Sequence, residues 1–93
     1  MSDKVFKALG DPTRRQILKL LNEGDKTAGD ISDKFAITSA TMSHHFNVLK
    51  DADLVCVQRN GQKMVYSLNT TVFQDVLTLL MDVFGQKAEA DKT

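Results

Sequence analysis

The stretch from Ala36 to Leu54, AITSATMSHHFNVLKDADL, constrains this chain more than any other. No glycine or proline interrupts it before Gly61. Thr38 and Ser39 supply side-chain oxygens that start a helix well, because an N-cap oxygen accepts a free first-turn N–H. On a helical wheel at about 100° per residue, Met42, Phe46, Leu49 and Asp53 form one stripe, with His45 and Ala52 at its edge. Ala40, Ser43, His44 and Asn47 take the opposite face. An ordinary surface helix carries Glu and Lys pairs there. This one carries small and hydrogen-bonding side chains, the combination needed for close approach to base edges in a DNA major groove.

The segments upstream supply the partner for that helix. Asp3 to Leu9 is a short amphipathic stretch with Val5, Phe6 and Leu9 on one side, too short to stand alone. Asp11-Pro12 then starts a second helix, Asp as N-cap and Pro at the first helical position. Ile17, Leu18, Leu20 and Leu21 form its apolar stripe and Gly24 ends it. Arg14 and Arg15 fall in its first turn, where the helix dipole disfavours cations. Such a placement implies either an ion pair with an acid elsewhere, the favoured reading, or a phosphate contact. Thr27 opens a third helix reaching Phe35, and a turn at Ala36-Ile37 leads into the helix from Thr38. Residues 27–52 thus read as a helix-turn-helix.

Downstream the period changes. LVCVQR is rich in β-branched residues, Asn60-Gly61 is a strong two-residue hairpin signal, and KMVYSL reads as the return strand. Residues 54–68 form a β-wing whose tip, Arg59 to Lys63, contains two cations and no acid. Asn69-Thr70-Thr71 caps a last helix over 72–86. Its apolar residues spread over roughly 200°, wider than the roughly 100° stripe that covering one small domain requires. An excess of that kind implies self-association, with Val72, Phe73, Val76, Leu77, Leu80, Met81 and Phe84 joined by Val5, Phe6 and Leu9 in a homodimer interface. Residues 87–93 are expected to be a flexible tail.

Composition bounds the rest. Ninety-three residues make a single domain, 1–93, small enough that dimerisation helps its core. The formal net charge is zero, with residues 34–74 carrying four cations against two acids. That surplus permits DNA binding without requiring it. No apolar run reaches membrane-spanning length and no signal-peptide pattern is present. The single cysteine, Cys56, forms no internal disulfide and fits a reducing cytoplasm. The fold class expected is mainly α with a small β-hairpin (α+β), a winged helix-turn-helix of about five helices plus a two-stranded wing.

DPTRRQIL, TAGDISDKFAITSATMSHHFNVLKDADLV and QRNGQKMVYSLN resemble the ArsR family of bacterial winged-helix repressors, SHHFNVLKDADLV most specifically. The opening VFKALGDPTRRQILKLL and closing SLNTTVFQDVL resemble its small SdpR-type autorepressor branch. The resemblance covers residues 3–84. It implies a homodimer with the first and last helices at its interface, binding an inverted repeat in promoter DNA, repressing transcription, and released by an inducer or anti-repressor protein. Autoregulation is implied by the resemblance alone. It also implies that Ser39, Ser43 and His44 face DNA and that Arg59 is the wing arginine.

Together these readings give a DNA-binding set of Thr38, Ser39, Ala40, Thr41, Ser43, His44, His45, Asn47, Arg59, Gln62 and Lys63, with double-stranded DNA as partner. His45, on the flank of the stripe, is read as partly buried packing that also reaches a phosphate. Titration of the two histidines near neutral pH would raise DNA affinity as pH falls. No metal or other cofactor is expected. The family's thiolate site needs a Cys-x-Cys pair that the helix from Thr27 to Phe35 lacks. Its C-terminal-helix site needs Asp and His, and the last helix has Asp75 and Asp82 but no histidine. No nucleophile–base arrangement or phosphate-binding glycine loop suggests an enzyme. Two alternatives stay open: a protein-interaction module built on the same scaffold, and a metal- or redox-responsive repressor of the same fold.

Overall fold

The computed structural model describes residues 3–91, with side-chain exposure described through residue 85. Helix α1 spans Asp3–Leu9, α2 Pro12–Asn22, α3 Ala28–Ser32, α4 Ser39–Asp51 and α5 Thr70–Asp91. Strands β1 (Lys26–Thr27), β2 (Val55–Asn60) and β3 (Lys63–Leu68) form one antiparallel sheet in the order β1-β3-β2.

Local chemistry sets the helix boundaries. The Asp11 carboxylate accepts the Arg14 N–H at 3.1 Å and Pro12 follows it, so α2 begins where cap and proline agree. The Thr27 hydroxyl accepts the Asp30 N–H at 3.1 Å, and the Thr38 hydroxyl accepts that of Thr41 at 3.2 Å. Helix α4 ends in a Schellman motif: Leu54 N–H donates to Leu49 O and Asp53 N–H to Lys50 O. Asp53 holds the left-handed position of that motif at φ 58°, without glycine's freedom.

The core lies where α2, α3, α4 and the sheet meet. Ile17, Ile31, Met42, Leu49 and Leu54 are its largest fully buried side chains. Each contributes about 1.5–3 kcal/mol by leaving water. Phe46 of α4 stacks on Tyr66 of β3, fastening the helix to the middle strand.

Helix α5 behaves differently. Val76 is its one buried residue among those described, with Val72 and Phe73 packed at the core's edge. Leu77, Leu80, Met81, Val83 and Phe84 are exposed, and so is Phe6 of α1. None of the described helices is long and apolar enough to cross a membrane.

Several expectations need correction. The two-stranded wing, β2 and β3, stands, but a third strand, β1, joins its sheet unanticipated, because two residues are too few to show a period-2 pattern. Helix α3 stops at Ser32, not Phe35, with Asp33 as its C-cap. Asn60 pairs with Lys63, so the wing turn is Gly61-Gln62 rather than Asn60-Gly61. Gly61 takes φ 65° at the first central position and Gln62 keeps a negative φ, the pattern of a type II′ turn. Helix α5 starts two residues before Val72 and stays helical through Asp91, so the expected flexible tail from residue 87 is helical that far. Residues 92–93 of that tail lie outside the described residues.

Candidate nucleic-acid interface

The polar face read from the wheel is the exposed face of α4. Thr38, Ser39, Ala40, Thr41, Ser43, His44 and Asn47 are all exposed, while Met42, Phe46 and Leu49 are buried beneath them. A buried stripe this regular fixes the helix's rotation, and that rotation decides which side chains point away. The Thr38 hydroxyl also donates to Thr41 Oγ1 at 2.9 Å, which leaves the Thr41 hydroxyl proton free to point outward. The first-turn N–H groups beside this cap form a partial positive charge suited to a phosphate.

The wing places Arg59, Gln62 and Lys63 at its exposed tip. Arg59 Nε donates to Gly61 O at 3.0 Å, which folds the side chain over the turn and leaves its terminal nitrogens without a hydrogen-bond partner among the described residues. Two cations flanking a two-residue turn and a helix free of acids in its first three turns make a surface that suits a polyanion, although the chain as a whole is neutral.

His45 does not belong to this surface. It is 7% exposed, packed toward the body, with Nδ1 3.2 Å from Arg14 Nη1 and 3.9 Å from Asp11 Oδ2. The expectation that it reaches a phosphate is corrected on burial: its place at the edge of the apolar stripe turns the ring inward. Arg14 is corrected too. Its Nε donates to Ala8 O at 2.8 Å and its Nη2 to Lys7 O at 3.1 Å, so its partners are the last carbonyls of α1 and a histidine, not an acid or a phosphate. Arg15 does likewise from the surface, donating to Leu9 O at 2.8 Å. Cations at a helix C-terminus satisfy carbonyls that have no partner within the helix. The penalty seen at the start of α2 is thus offset at the end of α1.

The expected interface residues separate by burial. Phe6, Leu77, Leu80, Met81 and Phe84 are exposed, and Leu9, Val72 and Phe73 are half-buried. Val5 and Val76 sit in the chain's own core, at 4% and 7% exposed, and leave the candidate interface. Val83, exposed beside Phe84, joins it. Cys56 is an exposed free thiol. Among the described residues no three of His, Cys, Asp and Glu are grouped to hold a metal ion.

A short helix, a turn, a helix with an open polar face and a hairpin beside it define a winged helix-turn-helix DNA-binding protein. Residues 11–57 match the family described as bacterial regulatory protein, arsR family, and the chain belongs to that family. It is 49% identical to the transcriptional repressor SdpR of Bacillus subtilis (strain 168) over 96% of this chain and 98% of that protein. It is 38% identical to the arsenical resistance operon repressor of Staphylococcus xylosus over 87% of this chain and 77% of that one. The crystal structure of an ArsR family transcriptional regulator superposes with a TM-score of 0.83 at 23% identity, covering 92% of this chain and 89% of that one. That last likeness establishes the fold alone. The chain is a DNA-binding transcriptional regulator and not an enzyme.

Proposed function

We propose that this protein represses transcription as a cytoplasmic homodimer bound to an inverted-repeat operator. The observation that carries the reading is the exposed face of α4, small and polar where its buried face is apolar, set beside a cationic wing tip. Ser43, His44 and Asn47 read base edges in the major groove. Ser39, Ala40 and Thr41 at the helix start, with Arg59, Gln62 and Lys63 on the wing, hold phosphates.

Helix α5 supplies the second half of the reading. Five exposed apolar residues from Leu77 to Phe84, together with exposed Phe6 of α1, would favour aggregation of a monomer. A groove of about 760 Å³ between α2 and α5, lined by Leu18, Leu68, Phe73 and Leu77 among others, extends the same apolar surface. A second copy covering this surface places two α4 helices on successive major grooves, about 34 Å apart. Repression accords with the names of the relatives, and autoregulation and release by an inducer or anti-repressor protein accord with the family resemblance. No cofactor enters this account.

The test is a titration of the purified protein against its own upstream DNA at two salt concentrations with excess non-specific competitor, alongside its mass in solution. Binding that survives competitor, weakens with salt and comes from a particle of twice 10.3 kDa is the expected result. A monomer, or binding erased by competitor, refutes the reading and leaves the scaffold to protein partners.

A further inference from the structure

Of the two imidazoles of this chain, His45 is the one that the DNA-facing surface does not use. It stands on α4 immediately after His44, yet it is buried where α4 meets the junction of α1 and α2. Its Nδ1 lies 3.2 Å from Arg14 Nη1. A guanidinium offers donors only, so Nδ1 must be the acceptor and the ring must be neutral with its proton on Nε2. The same Nδ1 lies 3.9 Å from Asp11 Oδ2, the atom that also caps α2 through the Arg14 N–H. Arg14, with its remaining nitrogens, holds the carbonyls of Lys7 and Ala8. The Asp11 cap, α2 and α4 therefore meet at one imidazole nitrogen, and Arg14 ties α1 to it.

We propose that His45 is a positioning residue for the recognition helix, and that protonation exchanges its partner from Arg14 to Asp11 and thereby weakens operator binding. The proposal rests on the DNA-binding reading above. Neutral His45 ties α4 to α1 through Arg14. Protonated His45 cannot accept from Arg14 and sets a second cation against it, while the Asp11 carboxylate within reach becomes the favoured acceptor. The proton comes from solvent and no other bond is made or broken.

The surrounding charges are few. From α2 and its cap, Arg14 and Asp11 face the ring. From α1, the charged side chains nearest α4, Lys4 and Lys7, line a crevice with Val48 and Asp51 on a later turn. The only charged side chain of β2, Arg59, is at the wing tip tied to Gly61. On α4 itself His44 is the neighbour, its ring centroid 6.0 Å from that of His45.

The two histidines thus act in opposite directions. A proton on exposed His44 adds a cation to the DNA face and strengthens binding, whereas a proton on His45 loosens the helix that presents that face. The expectation of affinity rising as pH falls applies to His44 and not to its neighbour.

The experiment has two arms. Long-range 1H–15N spectra of the wild-type rings at pH 7.5 should show His45 as the Nε2–H form, and titration should remove it. Anisotropy titrations then use the duplex most enriched from a random-sequence pool, with His44→Asn as the common background, each variant compared only with itself at pH 7.5 and 5.5. Affinity should fall roughly tenfold at the lower pH, the scale of one charge-assisted hydrogen bond. Adding His45→Asn, whose amide oxygen can accept from Arg14 and cannot titrate, should abolish that dependence and keep affinity at pH 7.5. His45→Leu, which packs but accepts nothing, should lose affinity at both. An Nδ1–H form at pH 7.5, or a pH dependence that survives His45→Asn, overturns the proposal. Should His45→Asn fail to fold, His45→Leu, which cannot titrate either, must also lose the pH dependence, and a dependence that survives it overturns the proposal. Absence of DNA binding by the wild-type protein at both pH values refutes the proposed function, a result distinct from binding that ignores pH, which refutes the switch alone.

Discussion

The rings of Phe46 and Tyr66 stack with centroids 4.7 Å apart and planes 25° from parallel, joining the recognition helix α4 to the central strand β3. Both residues are buried, so this pair links α4 to the wing through the core. Phe46→Leu keeps most of the apolar volume and removes the stack. It should cost about 1–1.5 kcal/mol in urea unfolding. A variant as stable as wild type would show that the stack adds nothing beyond area.

Arg14 and Arg15 are adjacent and both cap α1, but only Arg14 is buried. Arg14→Leu strips two carbonyls and a histidine of their donor and should cost about 2–4 kcal/mol, while Arg15→Ala should cost under about 1 kcal/mol. Measurements at one protein concentration keep assembly effects equal. Similar losses at the two positions would contradict the distinction.

Partial burial works to raise the Asp11 carboxyl, but the Arg14 N–H, the charges of His45 and Arg14, and the Thr13 N–H together hold it below its usual value. A lowered folded-state value means stability is fully present above the unfolded value and is lost as pH falls through the folded one. Asp11→Asn keeps a capping oxygen and cannot titrate. Its stability deficit relative to wild type should shrink as pH drops from about 5 to about 3. A deficit constant across that range would show that the charge plays no part.

Asp53, at φ 58° and at the negative end of α4, combines an uncommon backbone conformation with an unfavourable charge. Asp53→Gly should stabilise the protein by about 0.5–1 kcal/mol, and Asp53→Val should destabilise it. Thermal melts of the two variants moving in the same direction would disprove the conformational argument.

On the DNA side, Arg59→Ala should weaken binding to all sequences and reduce the salt slope by about 1. Asn47→Ala should instead relax sequence preference, with a loss of about 1–3 kcal/mol confined to the preferred site. If the two variants behave alike, the division between phosphate contact and base contact fails.

Legibility in the sequence followed the physics of each element. Helix α4, the hairpin and the polar face were readable because a regular apolar stripe and a turn dipeptide are local signals. Strand β1 was not, since two residues carry no period and their partner Tyr66 lies far along the chain. The wing turn moved one residue because Gly61, the only residue there that takes positive φ without cost, sits first in the turn rather than second. Arg14 announced itself as a misplaced cation, but its partners are carbonyls and a ring brought close only by folding. His45 lay at the stripe's edge, where a wheel cannot separate burial from exposure.

Strand β3 lies between β1, which leads directly into α3, and β2, which follows directly from α4. The helix-turn-helix is thus a closed circuit, its two ends pinned two strand spacings apart, about 9.6 Å, by a single shared strand. A mount of this kind isolates the exposed letters of α4 from the frame that holds them. Ser43, His44 and Asn47 can be exchanged without moving either anchor, whereas one residue added to β3 would shift both anchors together and tilt α4 as a whole.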